Sequence, residues 1–188
     1  MSRSSRDTAR DHEPATLAAY HAAVSDHADG LKNFAARMLG DDLQAEDVAQ
    51  DAFLALYRHL GQVPSSAFRP WLYRVARNLC LDILRRRKFR LRLFRDVERD
   101  DDRQMSAPDP SSDRPDQIAE SHEAHAAIEE AIQQLPQRFR EAFVLCELEG
   151  LSYEDAAAAL DCPVKTVSTR LFRARQRFRT ALKEVVNL

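Results

Sequence analysis

The side chains in this chain that could do chemistry are cationic, hydroxylated and aromatic, which suits recognition of a polyanion better than bond making. The stretch DCPVKTVSTRLFRARQRFR, from Asp161 to Arg179, holds five arginines and one lysine in a chain of net charge −2. At helical spacing, Lys165, Ser168, Thr169, Phe172, Arg173 and Gln176 fall on the outward side. Arg forks onto guanine, hydroxyls bond bases or phosphates, and Phe touches a thymine methyl. A second stretch, FRPWLYRVARNLCLDILRRRKFR, interleaves Phe68, Trp71, Tyr73 and Phe89 with Arg69, Arg74, Arg77, Arg85 and Arg86. Aromatic faces beside a positive track suit unpaired bases and their backbone. Asn78 shares a face with Trp71 and Arg74 and can hydrogen-bond a base edge. The plainer alternatives are a helical hairpin with a charged solvated face, and Trp71 and Tyr73 packed into a core.

Catalytic and metal-binding patterns are not found in the sequence. Cys80, Cys146 and Cys162 are far apart, with no CxxC pair or zinc-like His spacing, so each reads as a small core residue in a reducing compartment. His12, His21, His27 and His59 form no constellation with them, and His122 and His125 sit among Glu120 and Glu123 on what reads as a solvated helix end. No glycine-rich phosphate loop occurs. The expectation is a protein that is not an enzyme, with no catalytic residue, cofactor, metal or small-molecule substrate. The N-terminus has no apolar run of a secretory signal, and no stretch reaches the ~18 apolar residues of a membrane span. A soluble cytoplasmic protein with no membrane insertion is expected.

Charge is strongly segregated along the chain. Residues 69–95 carry ten basic side chains against Asp82, and residues 164–188 carry seven against Glu184. Between them, residues 96–118 hold eight acids to three bases, and residues 119–163 hold ten acids to two bases. Two basic blocks on two helices, each with an apolar stripe, point to two separate polyanion contacts.

The elements that must position these blocks are helices. The 188 residues include four glycines, with 44% hydrophobic and 31% charged residues, an all-α composition. Residues 1–14 read as a disordered extension. A first helix is expected over Pro14–Asp29 and a second over Gly30–Leu39, with Gly40, Asp41 and Asp42 as a break. AEDVAQDAFLALYRHL then places Val48, Ala49, Ala52, Phe53, Leu56 and Leu60 on a core stripe, with Asp47, Gln50, Asp51, Leu54 and Arg58 opposite. In the long basic helix, Leu72, Val75, Ala76, Leu79 and Ile83 read as the inner face. Residues 96–118, rich in Asp, Pro and Ser, read as a flexible linker. The expected organisation is therefore two small helical domains, 15–95 and 119–186.

In the second domain, EAHAAIEEAIQQL is expected to bury Ala127, Ile128, Ala131 and Leu135, and Pro136 to open a new helix carrying Phe139, Ala142, Phe143 and Cys146. SYEDAAAAL, the turn DCP and the basic helix then make a helix-turn-helix, with Ser152 and Asp155 as a capping pair and Asp161 at a helix start. Val164, Val167, Leu171, Ala174, Phe178 and Leu182 form its inward stripe.

These blocks together resemble the extracytoplasmic-function (ECF) sigma factors of the sigma-70 family. The resemblance rests on AEDVAQDAFLALYRHL, FRPWLYRVARNLCLDILRRR and LPQRFREAFVLCELEGLSYEDAAAALDCPVKTVSTRLFRARQRF, in the family's order around a variable linker. It implies an initiation factor that binds core RNA polymerase at its clamp helices and flap. Residues 15–95 would be region 2 and 119–186 region 4. Asp47, Gln50, Asp51, Leu54 and Arg58 would face the clamp. Ser65, Ser66, Phe68, Arg69, Trp71, Arg74, Arg77, Asn78, Arg85 and Arg86 would bind the melted −10 strand and trap a flipped base. Lys165, Thr166, Ser168, Thr169, Arg170, Phe172 and Arg173 would read the −35 duplex. An anti-sigma factor is an expected partner, as for many relatives. Two positions depart from the family: Gln62, Val63 and Pro64 stand where an aromatic-Arg-Gly pattern is common, and Ser168 where many members place Lys or Arg. The rival reading is a stand-alone helix-turn-helix repressor or activator, which leaves the aromatic-basic helix without a purpose.

Overall fold

The computed structural model describes residues 14–97 and 117–186, with side chains described over 14–92 and 124–184. The expected N-terminal extension and most of the expected linker lie outside these residues. The described residues form seven α-helices: α1 (Pro14–Leu39), α2 (Asp42–Arg58), α3 (Phe68–Val97), α4 (Gln117–Gln133), α5 (Gln137–Phe143), α6 (Tyr153–Leu160) and α7 (Val164–Val186). A 3-10 turn at Ser65–Ala67 leads into α3, and a π-helical turn at Val144–Leu148 follows α5 directly. No strand occurs among the described residues.

The first half is a three-helix unit, with α1, α2 and α3 all in mutual contact. The stripe on α2 is buried as its spacing requires: Val48, Ala49, Ala52, Phe53 and Leu56, with Leu60 just beyond the helix. Each fully buried Leu or Phe of this kind contributes about 1.5–3 kcal/mol. Asp41 caps α2, its carboxylate accepting from the Gln44 amide at 3.0 Å.

The expected break at Gly30 does not occur, and α1 runs through it without interruption. Its true end is Gly40, whose φ of 64° takes the left-handed conformation that closes helices without a side-chain clash. Gly30 serves another purpose. A Cβ built there would lie 2.7 Å from both the Glu149 carboxylate and the Tyr73 hydroxyl. The missing side chain makes room for Tyr73 of the same half and for Glu149 of the other.

In the second half α4, α5 and α6 all pack on α7. Ala131, Ile132 and Leu135 are buried at the end of α4, whereas Ile128, expected in the core, is exposed. The helical face is turned by one position, because α4 must also meet α1. Asp161 ends α6 instead of starting α7: its φ of 50° and ψ of 54° make it a left-handed cap. Ser152 caps α6 as expected, accepting from the Asp155 amide at 3.0 Å.

The two halves pack against each other. α6 lies on α3, while α4, α5 and the π-helical turn touch α1. Buried residues of both halves join in one continuous hydrophobic core.

Candidate nucleic-acid interface

On α2, Asp47, Gln50, Asp51, Leu54 and Arg58 are all exposed. Leu54 is 49% exposed among acids, with the half-exposed Tyr57 one turn on, so this face offers apolar contact ringed by negative charge. Tyr57 is held edge-on by Tyr20 at 5.6 Å between ring centroids.

The residues expected on α3 and the turn before it divide into two groups. Ser65, Ser66, Arg74, Asn78, Arg85 and Arg86 are exposed. Trp71 is half-buried, with its ring 5.6 Å from that of His59. The other group faces inward. Phe68 is 4% exposed and packs in the core, so it is not placed to stack on a base. Tyr73, also read as a stacking platform, is 2% exposed and meets Phe34 edge-on at 5.6 Å. The plainer alternative, core packing, holds for Tyr73. Its spacing explains this, because Tyr73, Ala76 and Cys80 widen the inner face to the side covered by α6.

Arg69 and Arg77 point toward the second half of the chain. The Arg69 guanidinium donates to the Glu149 carbonyl. Arg77 Nε donates to Glu141 Oε2 at 2.9 Å, and Glu141 is 2% exposed. The Tyr73 hydroxyl donates to Glu149 Oε2 at 3.0 Å, and Arg37 of α1 pairs with Glu149 at 3.6 Å and Glu129 at 2.8 Å. Burial pushes the Glu149 carboxyl above its ordinary range, against the opposing pull of the Tyr73 hydrogen bond and of Arg37 and Arg69. Burial chiefly, and then the Glu149 charge, raise the Tyr73 phenol. Glu129, Glu141 and Glu149 lie in a segment whose sequence shows only excess acid, so their partners could not be read from it.

On α7, Lys165, Ser168, Thr169, Phe172 and Arg173 are exposed, and Thr166 and Arg170 half so. Phe172 is 61% exposed. The inward stripe holds at Val167, Leu171 and Ala174, while Val164 is exposed and Ala181 takes a buried place. Ala156, Ala157 and Ala159 of α6 are buried where that helix packs on α3 and α7. The Thr169 hydroxyl donates back to the Lys165 carbonyl at 2.9 Å, leaving its lone pairs outward. A shallow groove joins Lys165, Thr166, Thr169, Arg170 and Arg173 to Arg138 of α5. Arg138 was not legible as a site residue, because its segment is acidic and no helical spacing links it to α7. Its guanidinium lies 4.8 Å over the Phe139 ring, which fixes it at the groove's edge.

The described residues contain no group of His, Cys, Asp and Glu arranged to hold a metal, and no helix long and apolar enough to cross a membrane. Two family models match the chain: Sigma-70 region 2 over residues 23–90, and Sigma-70, region 4, over residues 125–178. The chain is 36% identical over 170 residues to the ECF RNA polymerase sigma factor SigE of Mycolicibacterium smegmatis, covering 90% of this chain and 64% of that one. It is 40% identical over 153 residues to the RNA polymerase sigma-H factor of Pseudomonas aeruginosa, covering 80% of this chain and 79% of that one. This chain belongs to the ECF sigma factors. Among solved structures, the fold of this sigma factor matches that of RpoE from Bartonella quintana, determined with the anti-sigma factor NepR. That match has a TM-score of 0.65 at 24% identity, over 87% of this chain and 96% of the other. The region 2 match falls within α1 to α3, and the region 4 match within α4 to α7.

Proposed function

We propose that this sigma factor binds core RNA polymerase and directs promoter-specific initiation, reading the −35 duplex with α7 and trapping a melted −10 base beside α3. The observation that carries the reading is the pairing of unlike surfaces: a helix-turn-helix face with Phe172, Lys165, Arg170 and Arg173, and an α3 face with Trp71, Arg74 and Asn78. Duplex needs a groove-filling helix, whereas single strand needs stacking and a positive track. The Asp47, Gln50, Asp51, Leu54 and Arg58 face of α2 is the polymerase contact, its acids matching a basic partner. Region 2 spans 15–95 and region 4 spans 119–186. Lys165, Thr166, Ser168, Thr169, Arg170 and Arg173 contact bases or phosphates around Phe172. On region 2, Ser65, Ser66, Arg74, Arg85 and Arg86 line the strand's path. The protein acts in the cytoplasm as a non-catalytic subunit, and an anti-sigma factor is a further partner, as in the relative solved with NepR.

Core-dependent transcription tests this. Purified protein is added to sigma-free bacterial polymerase on a template carrying the promoter of its own gene. Specific initiation that disappears on Asp47→Lys with Asp51→Lys supports both the sigma role and the clamp face. Tight binding to the same duplex with no initiation would favour a stand-alone repressor or activator.

A further inference from the structure

His59 stands where three parts of region 2 meet, and it was not among the site residues expected from the sequence. Its amide closes α2, donating to the Ala55 and Leu56 carbonyls at 3.2 and 3.0 Å. Its carbonyl accepts from the Gln62 amide at 2.9 Å and the Val63 amide at 3.3 Å, folding the turn that leads into α3. Gly61, with a φ of 84°, and the isolated bridge between Leu60 and Val63 belong to the same turn. The His59 side chain reaches the third part, its ring lying 5.6 Å from that of Trp71 at an interplanar angle of 47°.

The imidazole is itself fixed. Its Nδ1 lies 2.8 Å from the Ala55 carbonyl oxygen. A carbonyl can only accept, so Nδ1 carries the proton and donates, and rotation of the ring would break that bond. Leu60, next in the chain, is 4% exposed and anchors the backbone in the core. A helix end needs only a donor for its last carbonyls, which Lys or Arg also supplies. A flat ring set against Trp71 does more than that. Trp71 is half-buried near the start of α3, on one face with the exposed Arg74 and Asn78. An unsupported indole in that position would sample several rotamers, and a base stacking on it would have to freeze them.

We propose that His59 is a positioning residue for strand capture: its ring holds the Trp71 indole in one orientation, while its carbonyl holds the turn that precedes α3. The role in capture rests on the strand reading of α3 given above, but the anchoring of Trp71 does not. Immobilising one large side chain is worth roughly a twofold to tenfold change in affinity, so loss of the His59 ring should weaken strand binding by that much.

Trp71 is the one tryptophan in the chain, so its fluorescence reports on this ring alone. Time-resolved anisotropy of the full chain is compared for wild type, His59→Ala and His59→Phe. The phenylalanine keeps a flat ring against Trp71 and drops both nitrogens. His59 is exposed, so neither substitution opens a cavity in the core. Strand affinity is measured on holoenzyme made with sigma-free core polymerase, using a fluorescent oligonucleotide of the non-template strand upstream of this protein's own gene. A rigid Trp71 in the wild type, a fast local motion together with the stated loss of affinity in His59→Ala, and recovery of both in His59→Phe would bear the proposal out. Binding of a −35 duplex should be the same in all three. A Trp71 as rigid in His59→Ala as in the wild type would overturn the anchoring. A loosened Trp71 with unchanged strand affinity, or no recovery in His59→Phe, would overturn the positioning role. If Trp71→Ala holoenzyme bound the strand as tightly as wild type, the strand reading and the capture role would fall together, and the anisotropy result would stand.

Discussion

The Tyr73 hydroxyl on α3 hydrogen-bonds the Glu149 carboxylate at 3.0 Å, joining residues 76 apart in the chain and in different regions. The ring itself serves region 2, edge-on to Phe34, while the hydroxyl serves the contact between regions. Tyr73→Phe separates these roles. It keeps the ring packing and leaves Glu149 to Arg37 and Arg69, so region 2 retains its fold. A hydrogen bond to a charged group is worth about 1.5–3 kcal/mol. Denaturant unfolding of the full chain should show a loss of that order, and the isolated 15–95 fragment, if it folds, none.

The contact should respond to pH in a definite direction. Glu149 has an ordinary value of 4.5 that burial raises here, with Tyr73 and Arg69 from α3 and Arg37 from α1 facing it and pulling back. With the two regions in contact, Glu149 therefore binds a proton more readily than it does in water, and protonation favours the contact. The contact is strongest below 4.5, weakens as pH rises from there through the raised value, and is then flat on this account. Glu149→Gln, a neutral isostere, should keep the contact at neutral pH and lose this part of the dependence. Scattering across pH 4.5 to 8 checks it, and a Gln variant with the wild type's slope would contradict it.

Cys80 lies on the same flank of α3, fully buried, its thiol pushed up to about 12 by burial first and by Glu141 of region 4 second. Only the thiolate alkylates quickly, and at pH 8 about one thiol in ten thousand would be ionised at such a value. Burial likewise lifts Cys146 to about 11, with help from Glu147. Cys162, half-exposed at the helix-turn-helix turn, should be modified first. Cys80 should react last in the wild type and markedly sooner in Glu149→Lys. Mass spectrometry of timed iodoacetamide reactions reads the order.

What was legible in the sequence is what depends on periodicity within one helix. The α2 stripe from Val48 to Leu60 and the outward set from Lys165 to Arg173 follow from 3.6-residue spacing, and both stand. The errors fall where a second element decides. Gly30 looked like a helix boundary, whereas its use is to admit Tyr73 and Glu149, both far along the chain. Phe68 and Tyr73 looked like exposed platforms because region 4 and the turn before α3 cover a flank that spacing alone left open. Ile128 gave way to Ile132 since α4 faces α1 as well as α7. Arg138 enters the α7 groove by tertiary placement and a ring contact, neither of which leaves a local pattern.

Asp161 carries the one left-handed non-glycine backbone among the described residues, at the end of α6. The Cys162 amide completes the turn by donating to the Ala157 carbonyl at 3.1 Å. That conformation costs an L-residue about 1–2 kcal/mol, less for Asp, whose short polar side chain bonds locally. Asp161→Gly should therefore hold stability or raise it by up to about 1 kcal/mol, tempered by the greater freedom of glycine in the unfolded chain. Asp161→Val, branched at Cβ, should lose more than 1 kcal/mol and misalign α6 with α7. Thermal unfolding of both variants, with duplex binding as the second readout, distinguishes a strained turn from a tolerant one.

Arg138 offers the most direct check on how α7 meets duplex DNA. It sits across the groove from Lys165, Thr169 and Arg173, on a different helix, with its guanidinium over Phe139. On the function proposed above, a cation in that position is placed for the sugar-phosphate backbone beside α7, while Phe172 and Ser168 are exposed on its outer face. A phosphate contact weakens all sequences alike and lowers the salt dependence by about one unit of log–log slope, whereas a base contact changes preference among sequences. Arg138→Ala should thus reduce −35 affinity uniformly across base substitutions and cut the slope by about one. Arg173→Ala, by contrast, should relax preference at one base position on the proposed reading. Fluorescence anisotropy on a duplex series at several salt concentrations separates the two patterns. An altered base preference in Arg138→Ala would mean that α5, and not α7 alone, enters the groove.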